Sequence, residues 1–146
     1  MTKQYIKYGF LITFLLIVYF LILRLLNLHT LTVLSAFNAV IFGFGIYLAI
    51  TNYKKTHKTF KYEKGFQVGL LSGFLASVLF GISMAIYMYH IEPSFANTVI
   101  DNWDINLSNG PYVLIVSVLI MGLATSFVLT LSFMQLLKDS WNQHQK

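Results

Sequence analysis

Cysteine is absent from this 146-residue chain. That removes a disulfide framework, a thiolate metal site and a redox dithiol, and it leaves the compartment unmarked by cysteine usage. Charge is scarce: charged residues make up 10% of the chain, against about 25% in a soluble domain. So few charges cannot cover the surface of a soluble globule. Two prolines and nine glycines exclude a low-complexity chain. No phosphate loop, nucleophile elbow or paired-histidine zinc-protease motif occurs. No Asp, Glu, Lys or His falls in the middle of an apolar run, which counts against an ion-coupled transporter and against a bis-histidine haem bundle.

Apolar residues supply what charge does not. They make up 57% of the chain, with 16% aromatic, and the mean hydropathy is +0.69. Four apolar runs stand out, at residues 8–26, 31–53, 66–91 and 112–137. A crossing helix needs about 20 predominantly apolar residues to span about 30 Å of hydrocarbon. All four qualify. Barrel strands would instead alternate in hydrophobicity over about 10 residues, a pattern that is missing. The expected fold is all-α and integral to the membrane, a single domain over residues 1–146 with four transmembrane helices in an antiparallel bundle. The first run follows Lys3 and Lys7 but is followed by Leu25-Leu26-Asn27-Leu28-His29, with no small-residue cleavage site. It reads as an uncleaved anchor rather than a signal peptide.

The basic residues orient the bundle. Lys3 and Lys7 precede the first run; Lys54, Lys55, Lys58, Lys61 and Lys64 join the second to the third; Lys138 and Lys146 follow the fourth. Four crossings put these nine on one side, opposite Arg24, Glu92, Asp101 and Asp104. The positive-inside rule then places both termini and the middle loop in the cytoplasm. The five-lysine loop is expected to meet anionic headgroups of the bilayer. A nucleic-acid partner is not expected, since no folded reader motif accompanies the lysines.

The connections have character of their own. The link at 27–30 is short enough to make the first two spans a tight hairpin. Thr59 is a candidate cap for a helix that carries Tyr62 and Glu63 in its first turn. In the longest outer connection, Pro93 suits a first helical turn. Phe95, Val99 and Trp103 then recur at spacing four, predicting a short amphipathic helix on the outer membrane surface. Asn109-Gly110-Pro111 is a turn that starts the fourth span.

Small residues recur every four positions in the third span: Gly65, Gly69, Gly73, Ser77, Gly81 and Ala85. Inside lipid, close backbone approach rather than hydrophobicity holds helices together, and small residues permit it. The row reads first as a packing face within the bundle and second as a face for a further copy. Gly122, Ser126 and Thr130 form a weaker row in the fourth span, and Ser35, Ala39 and Gly43 one in the second. Asn38 and Gln67 are the side chains costliest to leave unpaired. His29 and His90 are the pair best placed to meet near Glu92, but scattered interface histidines are the commoner case, so no metal is expected. No cofactor is expected either.

The stretch from Thr59 to Leu71, continuing through Tyr87-Met88-Tyr89 to Ile91-Glu92-Pro93-Ser94-Phe95, resembles a family of small four-span inner-membrane proteins of bacteria, common in Bacteroidota and known as a domain of unknown function. The resemblance implies the fold and a place in the bacterial inner membrane, and it carries no catalytic residues. The expected role is a non-enzymatic accessory or assembly subunit acting through helix–helix packing with a membrane-protein partner or a second copy. The alternative is a small oligomeric transport or channel module.

Overall fold

A computed structural model describes residues 2–57, 61–102 and 109–137. They form α1 (Thr2–Leu25), α2 (Thr32–Ser35), α3 (Phe37–Thr56), α4 (Tyr62–Ile86), a π-helical turn (Tyr87–Ile91), α5 (Phe95–Asp101) and α6 (Gly110–Leu136). No strand occurs among the described residues. Four segments are long and apolar enough to cross a membrane: Thr2–Leu25, Val33–Thr56, Tyr62–Ile91 and Gly110–Leu136. Outward-facing side chains such as Phe10, Phe14, Phe44, Phe74, Phe127 and Val128 are exposed. A multi-pass membrane protein presents such side chains to lipid.

The helices overrun the apolar runs where charge begins. α1 starts at Thr2 and α4 at Tyr62, because lysine and glutamate are good helix formers that extend a span past the hydrocarbon. The 30-residue segment Tyr62–Ile91 is about 45 Å long at 1.5 Å per residue, well beyond about 30 Å of lipid. The cap expected at Thr59 lies outside the described residues; Lys61 occupies the N-cap position, without a side-chain cap bond. The second span stays helical through Ala36, between α2 and α3, but its bonding there is of the i→i+3 kind, and the Tyr19 hydroxyl donates to the Leu34 carbonyl at 2.9 Å.

α4 touches α1, α3 and α6, and packs most extensively on α1 and α6. Its small residues set the spacing. A Cβ added at Gly69 would lie 2.8 Å from Thr130 Cγ2, one at Gly73 would lie 2.1 Å from Ser126 Oγ, and one at Gly122 would lie 2.4 Å from Ser77 Oγ. These pairs step by four along each helix in opposite directions, as antiparallel neighbours must. Gly81 faces Leu119, Gly65 is buried and Ala85 half-buried. The Ser126 hydroxyl donates across the seam to the Leu70 carbonyl at 3.2 Å. α1 and α3 meet as closely at Gly45 and Ile12. The second span's own row is used differently: Gly43 is buried, but Ser35 and Ala39 are exposed.

The described lysines of the middle connection collect at one end of the bundle. Lys54 and Lys55 lie in the last turn of α3, Lys61 caps α4, and Lys64 lies in its first turn. Lys58 lies outside the described residues. Lys54 Nζ donates to the Leu137 carbonyl at 2.8 Å, tying α3 to the end of α6. The Asn52 amide donates to the Tyr8 hydroxyl nearby.

Candidate functional site

The end opposite the lysines is built by two backbone irregularities. α1 stops in a turn where Asn27 adopts φ 56°, a left-handed conformation that Asn tolerates better than most residues. The Leu28 N–H bonds the Leu23 carbonyl at 2.8 Å, and the Asn27 N–H bonds the Arg24 carbonyl at 3.0 Å, the paired bonds of a Schellman ending. The reversal brings His29 in over the bundle. On α4, the π turn lets the Glu92 N–H reach the Tyr87 carbonyl at 2.9 Å. The altered register buries both Tyr87 and Met88 and turns Tyr87 toward Glu92.

Glu92 is the hub of the polar cluster that results. The Tyr87 hydroxyl donates to its Oε2. Arg24 Nε lies 3.7 Å from the same oxygen and His29 Nε2 lies 3.4 Å from it. The Tyr87 hydrogen bond holds the Glu92 carboxyl below its ordinary range, against the opposing effect of burial and with help from His29 and Arg24. The Arg24 guanidinium also stands 5.1 Å above the Tyr87 ring, a cation–π contact. His29 stacks on Phe95 at 5.4 Å and 11°, and Phe20 meets Tyr87 and Phe95 edge-on at 4.8 and 5.7 Å. Arg24 therefore does more than reach for water: it is bound within the protein. His29 meets Glu92 as the sequence allowed, whereas His90 is exposed. No group of three or more His, Cys, Asp or Glu side chains among the described residues is placed to hold a metal.

α5 closes this end. Phe95, Ala96, Val99 and Ile100 are buried in the main core, so its apolar face packs into the bundle instead of lying on the membrane surface. Trp103 lies outside the described residues. The α5–α6 junction is tight, for a Cβ at Gly110 would lie 2.8 Å from Asn97 Oδ1. Asn102 Nδ2 donates to the Thr30 carbonyl at 3.3 Å. This ties α5 to the α1–α2 connection.

Beneath α5 is a chamber of about 480 Å³, lined by all four spans. That volume is within the 300–1,000 Å³ range of small-molecule sites. It exists because α2 and the first turns of α3 stand away from α4 and α6, whereas farther down Ile46 and Ile50 close in on Gly73 and Gly69. Along α4 and the π turn the lining runs from Ser77 to Met88 and on α6 from Leu114 to Thr125. Each stretch is about 16 Å at 1.5 Å per residue, roughly half of a bilayer's hydrocarbon. Leu16, Phe42, Phe80 and Met88 make the inner wall and are buried. Ser35, Ala39 and Met121 also line it yet are exposed. They mark a mouth that opens sideways between the second span and α6. Asn38 and His29 contribute the strongest polar groups of the wall. Asn38 Oδ1 is buried without a hydrogen-bond partner, while the His29 ring turns its Nε2 to the Glu92 carboxylate at 3.4 Å. The interhelical partner expected for Asn38 Oδ1 is missing, while Gln67 bonds within its own helix, donating to Glu63 at 3.3 Å.

The chamber had no signature in the sequence, because its lining residues come from all four spans, the 29–30 connection and α5. The nearest signal was Arg24, His29 and Glu92 standing together at span ends, away from every lysine. Among comparisons with known proteins, residues 7–107 match the family described as Protein of unknown function (DUF4199). No curated protein matches the chain, and no solved structure does.

Proposed function

We propose that this chain, which belongs to the DUF4199 family, is a non-enzymatic accessory protein of the bacterial cytoplasmic membrane that holds a lipid-like guest. The observation that carries this reading is the chamber. It opens sideways between two spanning helices, so its natural source of ligand is the hydrocarbon and not water. Its lining ends at Ser77 on α4 and Thr125 on α6, and below that level Gly73 meets Ser126 and Ile46, and Gly69 meets Thr130 and Ile50. A closed floor supports an accessory role over a transport or channel module, which needs a continuous path.

The reading is tested by purifying the tagged protein from native membranes in mild detergent and identifying what stays with it. The expected result is a stoichiometric hydrophobic guest that is lost in Ala39→Phe, a change that plugs the mouth and touches neither glycine seam. A chain that carries no guest, or one whose guest survives Ala39→Phe, overturns it. A homo-oligomer enclosing a water-filled axis would favour the transport module instead.

In the proposed orientation both termini and the five-lysine loop are cytoplasmic, which puts the chamber in the outer leaflet. A reporter fused after Lys146 is expected to read as cytoplasmic and one inserted beside Asn106 as external. The reverse pattern at either site defeats this orientation.

A further inference from the structure

We propose, resting on the chamber reading above, that the guest is an uncharged, single-tailed amphiphile with a hydroxyl head that donates its hydrogen bond to Asn38 Oδ1. The length of the chamber sets the tail. About 16 Å of lining along α4 and α6 corresponds to one leaflet of hydrocarbon, and the mouth between Ala39 and Met121 admits a chain from the side. An orphaned polar atom sets the head. Asn38 Oδ1 is buried in the wall without a donor, whereas the His29 ring faces the Glu92 carboxylate at 3.4 Å and stacks on Phe95. A buried acceptor without a donor carries a desolvation penalty that a donor offsets, so the head that suits Asn38 is one that gives a proton.

Charge complementarity sets the rest. Arg24 is the cation described at this end, and it is already engaged by Glu92 and the Tyr87 ring. A carboxylate or phosphate head would meet the Glu92 carboxylate, whose Arg24 partner is already engaged. An ammonium head would compete with Arg24 for the same carboxylate. An uncharged hydroxyl disturbs neither.

The test uses the full chain, stripped of lipid in detergent and titrated with hexadecanol, methyl hexadecanoate and ionised hexadecanoate. These three share a tail and differ in the head, and native mass spectrometry counts what binds. Hexadecanol is expected to bind once per chain, about tenfold more tightly than the other two, as one hydrogen bond to a buried acceptor would give. Asn38→Leu is expected to remove that advantage and leave methyl hexadecanoate binding unchanged. Methyl hexadecanoate that still binds Asn38→Leu shows that the variant is folded. Equal binding of the three probes, tighter binding of hexadecanoate, or hexadecanol binding that ignores Asn38→Leu overturns the hydroxyl assignment and leaves the chamber reading standing. If no probe binds better than it does to Ala39→Phe, the chamber reading itself fails.

Discussion

Gly73→Leu is expected to force α4 off α6 and to lower stability by about 3 kcal/mol, the upper part of the range for overpacking a close-packed site. The first added carbon alone would lie 2.1 Å from Ser126 Oγ and 2.7 Å from Ser126 Cβ. Ser126 Cβ is fixed to its backbone, so no rotamer change relieves the clash and the helices must separate. Ile46, at 3.1 Å on the other side, is fully buried and cannot give way. Separation also stretches the Ser126–Leu70 hydrogen bond, for which about 0.6 kcal/mol is typical between membrane helices. Leucine's better helix propensity returns up to about 1 kcal/mol, which does not close the gap. Unfolding in mixed micelles with increasing SDS, followed by circular dichroism, reads the effect. A midpoint equal to that of the unaltered protein would show that the row is not a contact face.

Gly45→Ala is expected to cost about 2 kcal/mol, whereas Gly43→Ala, two residues away on the same helix, is expected to be neutral or slightly stabilising. The difference lies in what the new methyl meets. At Gly45 it would lie 2.2 Å from Ile12 Cγ1 and 2.9 Å from Ile12 Cδ1, and Ile12 is fully buried among α1, α3 and α4 neighbours. At Gly43 the nearest atom is Leu129 Cδ1 at 3.3 Å, the tip of a half-buried side chain that can shift by a few tenths of an ångström. Alanine's gain in helix propensity then decides the sign at Gly43 and is outweighed at Gly45. The same micelle titration compares the two. Equal midpoints would mean that α1 and α3 are not in the close register described.

Both predictions concern closeness of helices, and there the sequence is most informative. A glycine in a helix interior weakens the helix, so a row of them at spacing four is explained by what they permit in packing. Gly69, Gly73 and Ser77 announce a seam. Gly122, Ser126 and Thr130, less regular in appearance, are the matching half. The partner of a seam is less legible than the seam, because antiparallel register depends on how far each span is offset along the bundle axis.

The candidate site was visible only in fragments. Arg24, His29 and Glu92 stood out by type and position, and Pro93 and Phe95 predicted a short helix after them. Their convergence depends on the left-handed turn at Asn27 and on the π turn at Tyr87–Ile91. Neither has a composition signal of its own. The short outer helix illustrates the same limit: an apolar face at Phe95 and Val99 serves equally well against lipid or against protein, and only the neighbouring chain decides which.

The sequence by itself determined the number of crossings and the segregation of the described lysines to one end. These follow from properties summed along the chain: apolar length against the thickness of lipid, and the charge of the connections. It also determined which helix carries the closest packing face, because small residues leave a periodic trace. Only the tertiary structure decided that the second span changes its bonding at Ala36 and stands away from the bundle over its first turns, that Phe95 and Val99 roof the space so left, and that Asn38 Oδ1 borders it unpaired. A cavity is made of residues that fail to meet. No local stretch of sequence specifies it, because it depends on the distances between helices that are each locally well formed.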